Sequence, residues 1–167
     1  IAHKERGVHA LARPLGAVLA VVVRAALAGE GAGERTPVAL VPVPSRAKAV
    51  RVRGHDATAT MTRMAARRLS GSLPVTIVAP VLRLRPGVVD QAGLSSAQRA
   101  DNLDGSMAVD GVALRRLIRR YRRAHLVVCD DVVTTGATLG EAQRALATVG
   151  IEILASACVA TTRPRSV

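Results

Sequence analysis

Leu126-Val127-Val128-Cys129-Asp130-Asp131-Val132-Val133-Thr134-Thr135-Gly136-Ala137-Thr138 constrains this chain more than any other stretch. Four apolar residues run into two acids, two more apolar residues follow, and a small hydroxyl-rich turn closes the run. A short continuous apolar segment is what a strand covered on both faces of a parallel sheet requires. Adjacent carboxylates at its end can accept hydrogen bonds from the vicinal hydroxyls of a sugar. A helix predicted to begin in the turn leaves its first amides without internal partners, which makes a phosphate site. Gly136 permits positive φ and a close approach of backbone to ligand, while Thr134, Thr135 and Thr138 add hydroxyl donors. A plainer account has a buried strand and a helix whose Thr138 and Glu141 form a capping box. It leaves two consecutive acids at the end of an apolar strand unexplained.

The 167 residues suffice for one domain with a proper core, and 49% are apolar, which argues against disorder. The longest apolar run, Leu15 to Val23, is interrupted by Arg24, so no membrane span and no membrane insertion are expected. Lys4, Glu5 and Arg6 are not followed by the apolar stretch of a signal peptide, and the expected location is the cytoplasm. Cys129 and Cys158 both sit in apolar runs and read as buried thiols. His3, His9, His55 and His125 lack ligand spacing, so no metal is expected to be bound directly by the protein. The net charge of +12 is compatible with a polyanionic partner. Tyr121 is the only aromatic residue, so a single nucleic-acid strand would be held by Arg and Lys rather than by stacking.

Along the chain, Ala10 to Leu27 reads as a helix within an N-terminal helical segment (1–30), broken by the glycines between Gly29 and Gly33. Val38 to Val43 reads as a buried strand with Pro42 at its end. A loop bearing Ser45, Arg46, Lys48, Arg51 and Arg53 follows, then a helix capped by Asp56 or Thr58 and running to about Leu69. Val75 to Leu84 is predicted as the second strand, ended by Pro86 and Gly87. The polar stretch at 85–105, with one short helical piece near Ser96 to Asp101, is predicted to be a flexible loop or hood. Ser106 to Val109 is a brief strand, and the six arginines between Arg115 and Arg123 read as a solvated turn of helix or a basic surface. Leu126 to Cys129 is the central strand, Thr138 to Val149 a helix ended by Gly150, and Ile151 to Thr161 the last strand. Alternating strands and helices make a parallel α/β sheet the economical solution, with ligands at the carboxyl ends of its strands.

The thirteen residues from Leu126 to Thr138 resemble, position by position, the signature of the type I phosphoribosyltransferases. Lys4-Glu5-Arg6-Gly7, Val41-Pro42-Val43-Pro44 with Arg53-Gly54, and Gln91, Leu94, Gln98, Arg99 and Asn102 are similar to segments of one branch, the ComF-type proteins associated with DNA uptake. That branch often begins with a cysteine-rich zinc-binding segment, which these residues lack. The resemblance implies a Rossmann-like phosphoribosyltransferase fold with a small irregular hood. It also implies binding of 5-phosphoribosyl 1-pyrophosphate (PRPP), with Mg²⁺ carried mainly by that ligand, and transfer of its ribose phosphate to an unread acceptor. Asp130 and Asp131 would hold the ribose, and Val132, Val133, Thr134, Thr135, Gly136, Ala137 and Thr138 would complete the phosphate site. Ser45, Arg46, Lys48, Arg51 and Arg53 would meet the pyrophosphate, and Arg99 would join Asp130 and Asp131 as a catalytic residue. The alternative it leaves open is a non-catalytic PRPP sensor, or a single-stranded DNA binder, working with DNA-uptake proteins; a homodimer is compatible with either.

Overall fold

The computed structural model describes residues 2–32, 36–73, 75–86 and 105–162, with residues 2–10 and Lys48 described by backbone alone. In chain order the elements are α1 (Ala2–Gly29), β1 (Val38–Pro42), α2 (Ala47–Arg53), α3 (Ala57–Leu69), β2 (Thr76–Val78) and β3 (Leu82–Leu84). Then come β4 (Met107–Val109), α4 (Gly111–Arg120), β5 (His125–Val133), α5 (Ala137–Ala147) and β6 (Ala155–Thr161). β2, β1, β5 and β6 form, in that order, a parallel sheet, while β3 and β4 pair antiparallel as a separate ribbon. The alternation of strand and helix thus produces the expected α/β fold with a parallel core.

The two inner strands are apolar at every core position because both faces of the sheet are covered. Val38 and Leu40 of β1 and Val127 and Cys129 of β5 pack towards Leu19 and Val23 of α1 and Met61 and Leu69 of α3. Ala39, Val41, Leu126 and Val128 face the other way, towards Leu114 of α4 and Ala142 and Leu146 of α5. Each fully buried Val, Leu or Met contributes roughly 1.5–3 kcal/mol, so these two layers are the main source of stability.

Several expectations change. Val75 to Leu84 is two strands, not one: Pro80 has no amide to give a ladder, and Val81 N–H turns back to Ala79 C=O at 2.8 Å. The segment after Pro44 is not a loop throughout, since Ala47–Arg53 is helical and closes on Gly54 in the left-handed region at φ 75°. The arginine-rich stretch lies largely in a ten-residue helix, capped by Asp110, whose carboxylate accepts from Val112 and Ala113 N–H. The last strand begins at Ala155 rather than Ile151, and β5 extends four residues past Cys129. Leu11–Gly29 does pass the length and composition test for a membrane span, with mean hydropathy 1.8 over 19 residues, contrary to the expectation from Leu15–Val23. Its apolar character is accounted for on one side, where Leu19, Ala20, Val23 and Leu27 are buried against α3 and the sheet.

The hood expected at 85–105, with its helical piece at Ser96–Asp101, and Gln91, Leu94, Gln98, Arg99 and Asn102 within it, lies outside the described residues except at its ends. The β3–β4 ribbon leads into and out of that segment, with Leu84 opposite Met107.

α1 approaches α3 most closely at Gly16, where an added Cβ would overlap Met64 Cβ and crowd the Met61 carbonyl. Gly16→Ala must push the two helices apart. The expected cost is about 1–3 kcal/mol, read as a lowered midpoint in urea with an unchanged slope.

Candidate functional site

β1 and β5 run side by side to Pro42 and Cys129, and Val43 N–H still donates to Cys129 C=O at 2.9 Å. Beyond that bond the chain of β1 turns away through Pro44, and β5 continues alone on that side. On its other side β6 supports it, pairing Asp130 with Cys158, Val132 with Ala160 and Val133 with Thr161. The acid pair therefore stands on an extended, rigid strand, at the carboxyl rim of the sheet and beside the start of the β1–α2 connection. This is the crevice position where parallel α/β sheets bind ligands.

Asp130 is 7% exposed, so it lies deeper than a solvent-facing rim residue. Its Oδ1 accepts from Asp131 N–H at 2.9 Å, and Asp131 Oδ1 accepts from Val132 N–H at 2.8 Å. Each carboxylate is thus steadied by the next residue's amide and keeps lone pairs for an external donor. Burial pushes Asp130 up to about 6, and the neighbouring Asp131 charge adds to the rise against the lowering effect of the Asp131 amide. Cys129, just beneath, is buried and pushed up to about 12 by desolvation and the Asp130 charge, so it is an inert core thiol.

The turn after β5 is built as the sequence predicts. Thr134 and Thr135 are exposed, and Gly136 takes φ 79° as the residue preceding α5. A Cβ on Gly136 would meet no protein atom within 4 Å, so the left-handed backbone, not crowding, demands glycine there. Among the described residues no acceptor reaches the amides of Thr134, Thr135, Gly136, Thr138 or Leu139, and Ala137 N–H has only Thr135 Oγ1 at 3.4 Å. These amides and the positive end of the α5 dipole together form a ready anion cradle.

The capping box of Thr138 and Glu141 does not form. Gly136 precedes the helix without a side-chain cap, and Glu141 points elsewhere. Its Oε1 accepts from Met107 N–H at 2.8 Å and from Arg144 Nη2 at 2.8 Å. Burial alone would raise Glu141, but the bonds from Arg144 and Met107 outweigh it and hold the group below its ordinary value. This tie between α5 and β4 was legible in sequence only as a Glu-Arg pair three residues apart; its third partner is 34 residues away.

The residues expected to meet pyrophosphate are dispersed. Ser45 Oγ donates to Asp56 Oδ1 at 2.8 Å, and that same oxygen caps α3 through Ala59 N–H at 2.9 Å. Asp56, not Thr58, is the cap, and it holds the β1–α2 connection in place. Arg46 is half-buried at the start of α2, whereas Arg51 and Arg53 are exposed near its end, with Arg53 Nε on Ala49 C=O at 3.3 Å. At 3.6 residues per turn, positions 46 and 53 share one side of α2 and positions 48 and 51 another. Arg46 immediately precedes α2, four residues beyond the end of β1. Arg99 falls outside the described residues.

Residues 16–166 match the model of the phosphoribosyl transferase domain. An orotate phosphoribosyltransferase of Bartonella tribocorum is 43% identical over 51 residues, which is 30% of this chain and 27% of that protein. Competence protein F of Haemophilus influenzae is 30% identical over 118 residues, 71% of this chain and 48% of that protein. The chain spans less than half the length of the curated relatives it matches.

Because Asp130 titrates higher folded than its ordinary 3.8, the native state holds the extra proton between those values. Its ionisation costs stability as pH rises through about 6 and costs nothing near pH 4. Asp130→Asn keeps the bond to Asp131 N–H and removes the charge. Its melting temperature should exceed that of the wild type at about pH 7.5 and converge with it near pH 4, followed by calorimetry across that range; a constant difference would refute the assignment.

Proposed function

The chain belongs to the phosphoribosyl transferase family, and on that premise we propose that it binds PRPP through the β5–α5 cradle and transfers its ribose 5-phosphate in the cytoplasm, releasing pyrophosphate. The observation that carries this reading is the pairing of two carboxylates on β5 with a loop of unclaimed amides three residues further on. A phosphorylated pentose presents both vicinal hydroxyls and a phosphate, the two kinds of group that these carboxylates and amides bind. Asp130 and Asp131 accept the hydroxyls; Thr134 to Thr138 donate backbone and side-chain hydrogen bonds to the 5-phosphate. The similarity to Competence protein F supports the ComF-type branch.

Transfer breaks the bond between ribose C1 and the pyrophosphate oxygen, leaving positive charge on the ring and negative charge on the leaving group. Carboxylates fixed by backbone amides keep the ring placed without reorganising as that charge develops. Arg46, which immediately precedes α2, is assigned to the pyrophosphate, with the exposed Arg51 and Arg53 near the end of that helix adding a wider positive field. No group of three or more His, Cys, Asp or Glu side chains converges among the described residues. A Mg²⁺ ion bound with PRPP at this rim would be held mainly by the ligand and water, with Asp130 and Asp131 the nearest carboxylates, and would supply charge neutralisation of the pyrophosphate. A second reading, a PRPP-sensing or single-stranded-DNA-binding component of DNA uptake without transfer, draws on the competence relative alone.

Two measurements decide between these. In calorimetry with Mg²⁺, PRPP should bind the wild type, and Asp130→Asn with Asp131→Asn should weaken it at least about 100-fold. That follows from losing two charge-assisted hydrogen bonds worth roughly 1.5–3 kcal/mol each; equal affinities would end the ribose assignment. Pyrophosphate release from PRPP across a panel of purine, pyrimidine and orotate acceptors should be positive for at least one, and silence throughout would favour the sensor.

A further inference from the structure

A second cleft lies at the edge of the sheet, away from β5 and across β1. Val78 and Pro80, at the end of β2 and in its link to β3, form one wall; Leu117 of α4 lies opposite, and Arg116, Arg120 and Tyr121 supply the polar atoms. Its volume is about 370 Å³, within the range of small-ligand sites, which combine apolar walls with a few placed polar groups. Arg116, Arg119 and Arg120 also line an adjoining depression. Among the described residues no carboxylate comes within ion-pair distance of these three arginines. Asp110 feels Arg116 only through space, its carboxylate being engaged by the Val112 and Ala113 amides. Three like charges at spacings of three and four residues repel one another on a helix, although Arg119 and Arg120 in the last turn gain from the helix dipole. The guanidinium of Arg120 lies 5.6 Å from the centre of the Tyr121 ring, and its Nε donates to Tyr121 Oη at 3.1 Å, so the two planes are held together.

We propose that this cleft binds a nucleoside monophosphate, independently of the PRPP cradle. The flat heterocycle enters between Val78, Pro80 and Leu117 and lies against the Arg120–Tyr121 pair, while the phosphate meets Arg116 and Arg119. The chemistry demands both halves: apolar walls alone give no reason for unpaired guanidiniums at the rim, and a bare phosphate leaves the apolar slot unfilled. The arginine excess is chain-wide, 24 basic against 12 acidic residues, so the further arginines at 122 and 123 need no strand of phosphates to explain them.

The test is equilibrium dialysis of AMP and UMP against the full chain, the Arg116→Gln/Arg120→Gln variant and the Asp130→Asn/Asp131→Asn variant. Binding to the wild type is expected with a Kd on the order of 0.1–1 mM. It should fall at least about tenfold in the Arg116→Gln/Arg120→Gln variant, which removes one phosphate partner and the cation against the base, and persist in the Asp130/Asp131 variant, in which the PRPP cradle is disabled. Inorganic phosphate and ribose 5-phosphate at equal concentration should not displace the nucleotide. Nucleotide binding lost with the aspartates, or equal in the α4 variant, overturns the proposal by placing the ligand elsewhere. So does retention of an oligothymidylate without AMP or UMP, which would make α4 a strand-binding surface. Dimerisation abolished by Leu117→Glu, with no nucleotide bound, would show that a second copy covers the cleft.

Discussion

Everything at the candidate site depends on how long β5 is relative to β1. The two strands share a ladder up to the bond from Val43 to Cys129, and β5 then runs on with support from β6 alone. That overhang places two carboxylates on rigid extended backbone, without β1 as a neighbour. A strand that stopped at Cys129 would have put Asp130 and Asp131 into a loop, where neither burial nor amide bonds would define them. Gly136 then reverses the chain into α5 with its leading amides unclaimed.

The arrangement opposes stability, as a binding site often does. A nearly covered carboxylate beside a second acid is unfavourable until a ligand supplies donors, and Asp130 shows it by its raised affinity for a proton. The surroundings compensate. Asp56 locks the β1–α2 connection and the start of α3 with one oxygen, and Glu141 fastens the phosphate-side helix to β4. The same Glu141 bond fixes the start of β4 through Met107 N–H. Both acids hold neighbouring elements in position.

Much of the fold was legible because it rests on local signals. The continuous apolar runs of β1 and β5 announce strands covered on both sides, and Gly136 marks a turn. Asp56 and the run to Leu69 define α3, and the resemblance in Leu126–Thr138 is dense enough to indicate the family. The misreadings have specific causes. Pro80 interrupts an apolar run that otherwise reads as one strand and splits it in two. The cations of Ala47–Arg53 suggested a loop, although alanine, arginine and lysine are good helix formers. Thr138 and Glu141 have capping-box spacing, but a buried amide at Met107 competes for Glu141 and wins, since leaving that amide unpaired would cost more than an unfilled cap in solvent. The apolar character of Leu11–Gly29 comes from packing against α3 and the sheet on one side, which no count of hydropathy distinguishes from a span.

The order of residues by itself determined the strand–turn–helix at Leu126–Thr138, the parallel α/β class and the chemical character of the site, because these follow from period, turn geometry and the identity of adjacent side chains. Only the tertiary structure decided that Ser45 serves Asp56, that Asp130 is covered, and that Arg116 and Arg120 line an apolar cleft at the β2 edge of the sheet. Those facts depend on strand register and on contacts between segments tens of residues apart, and no local rule of spacing encodes such distances.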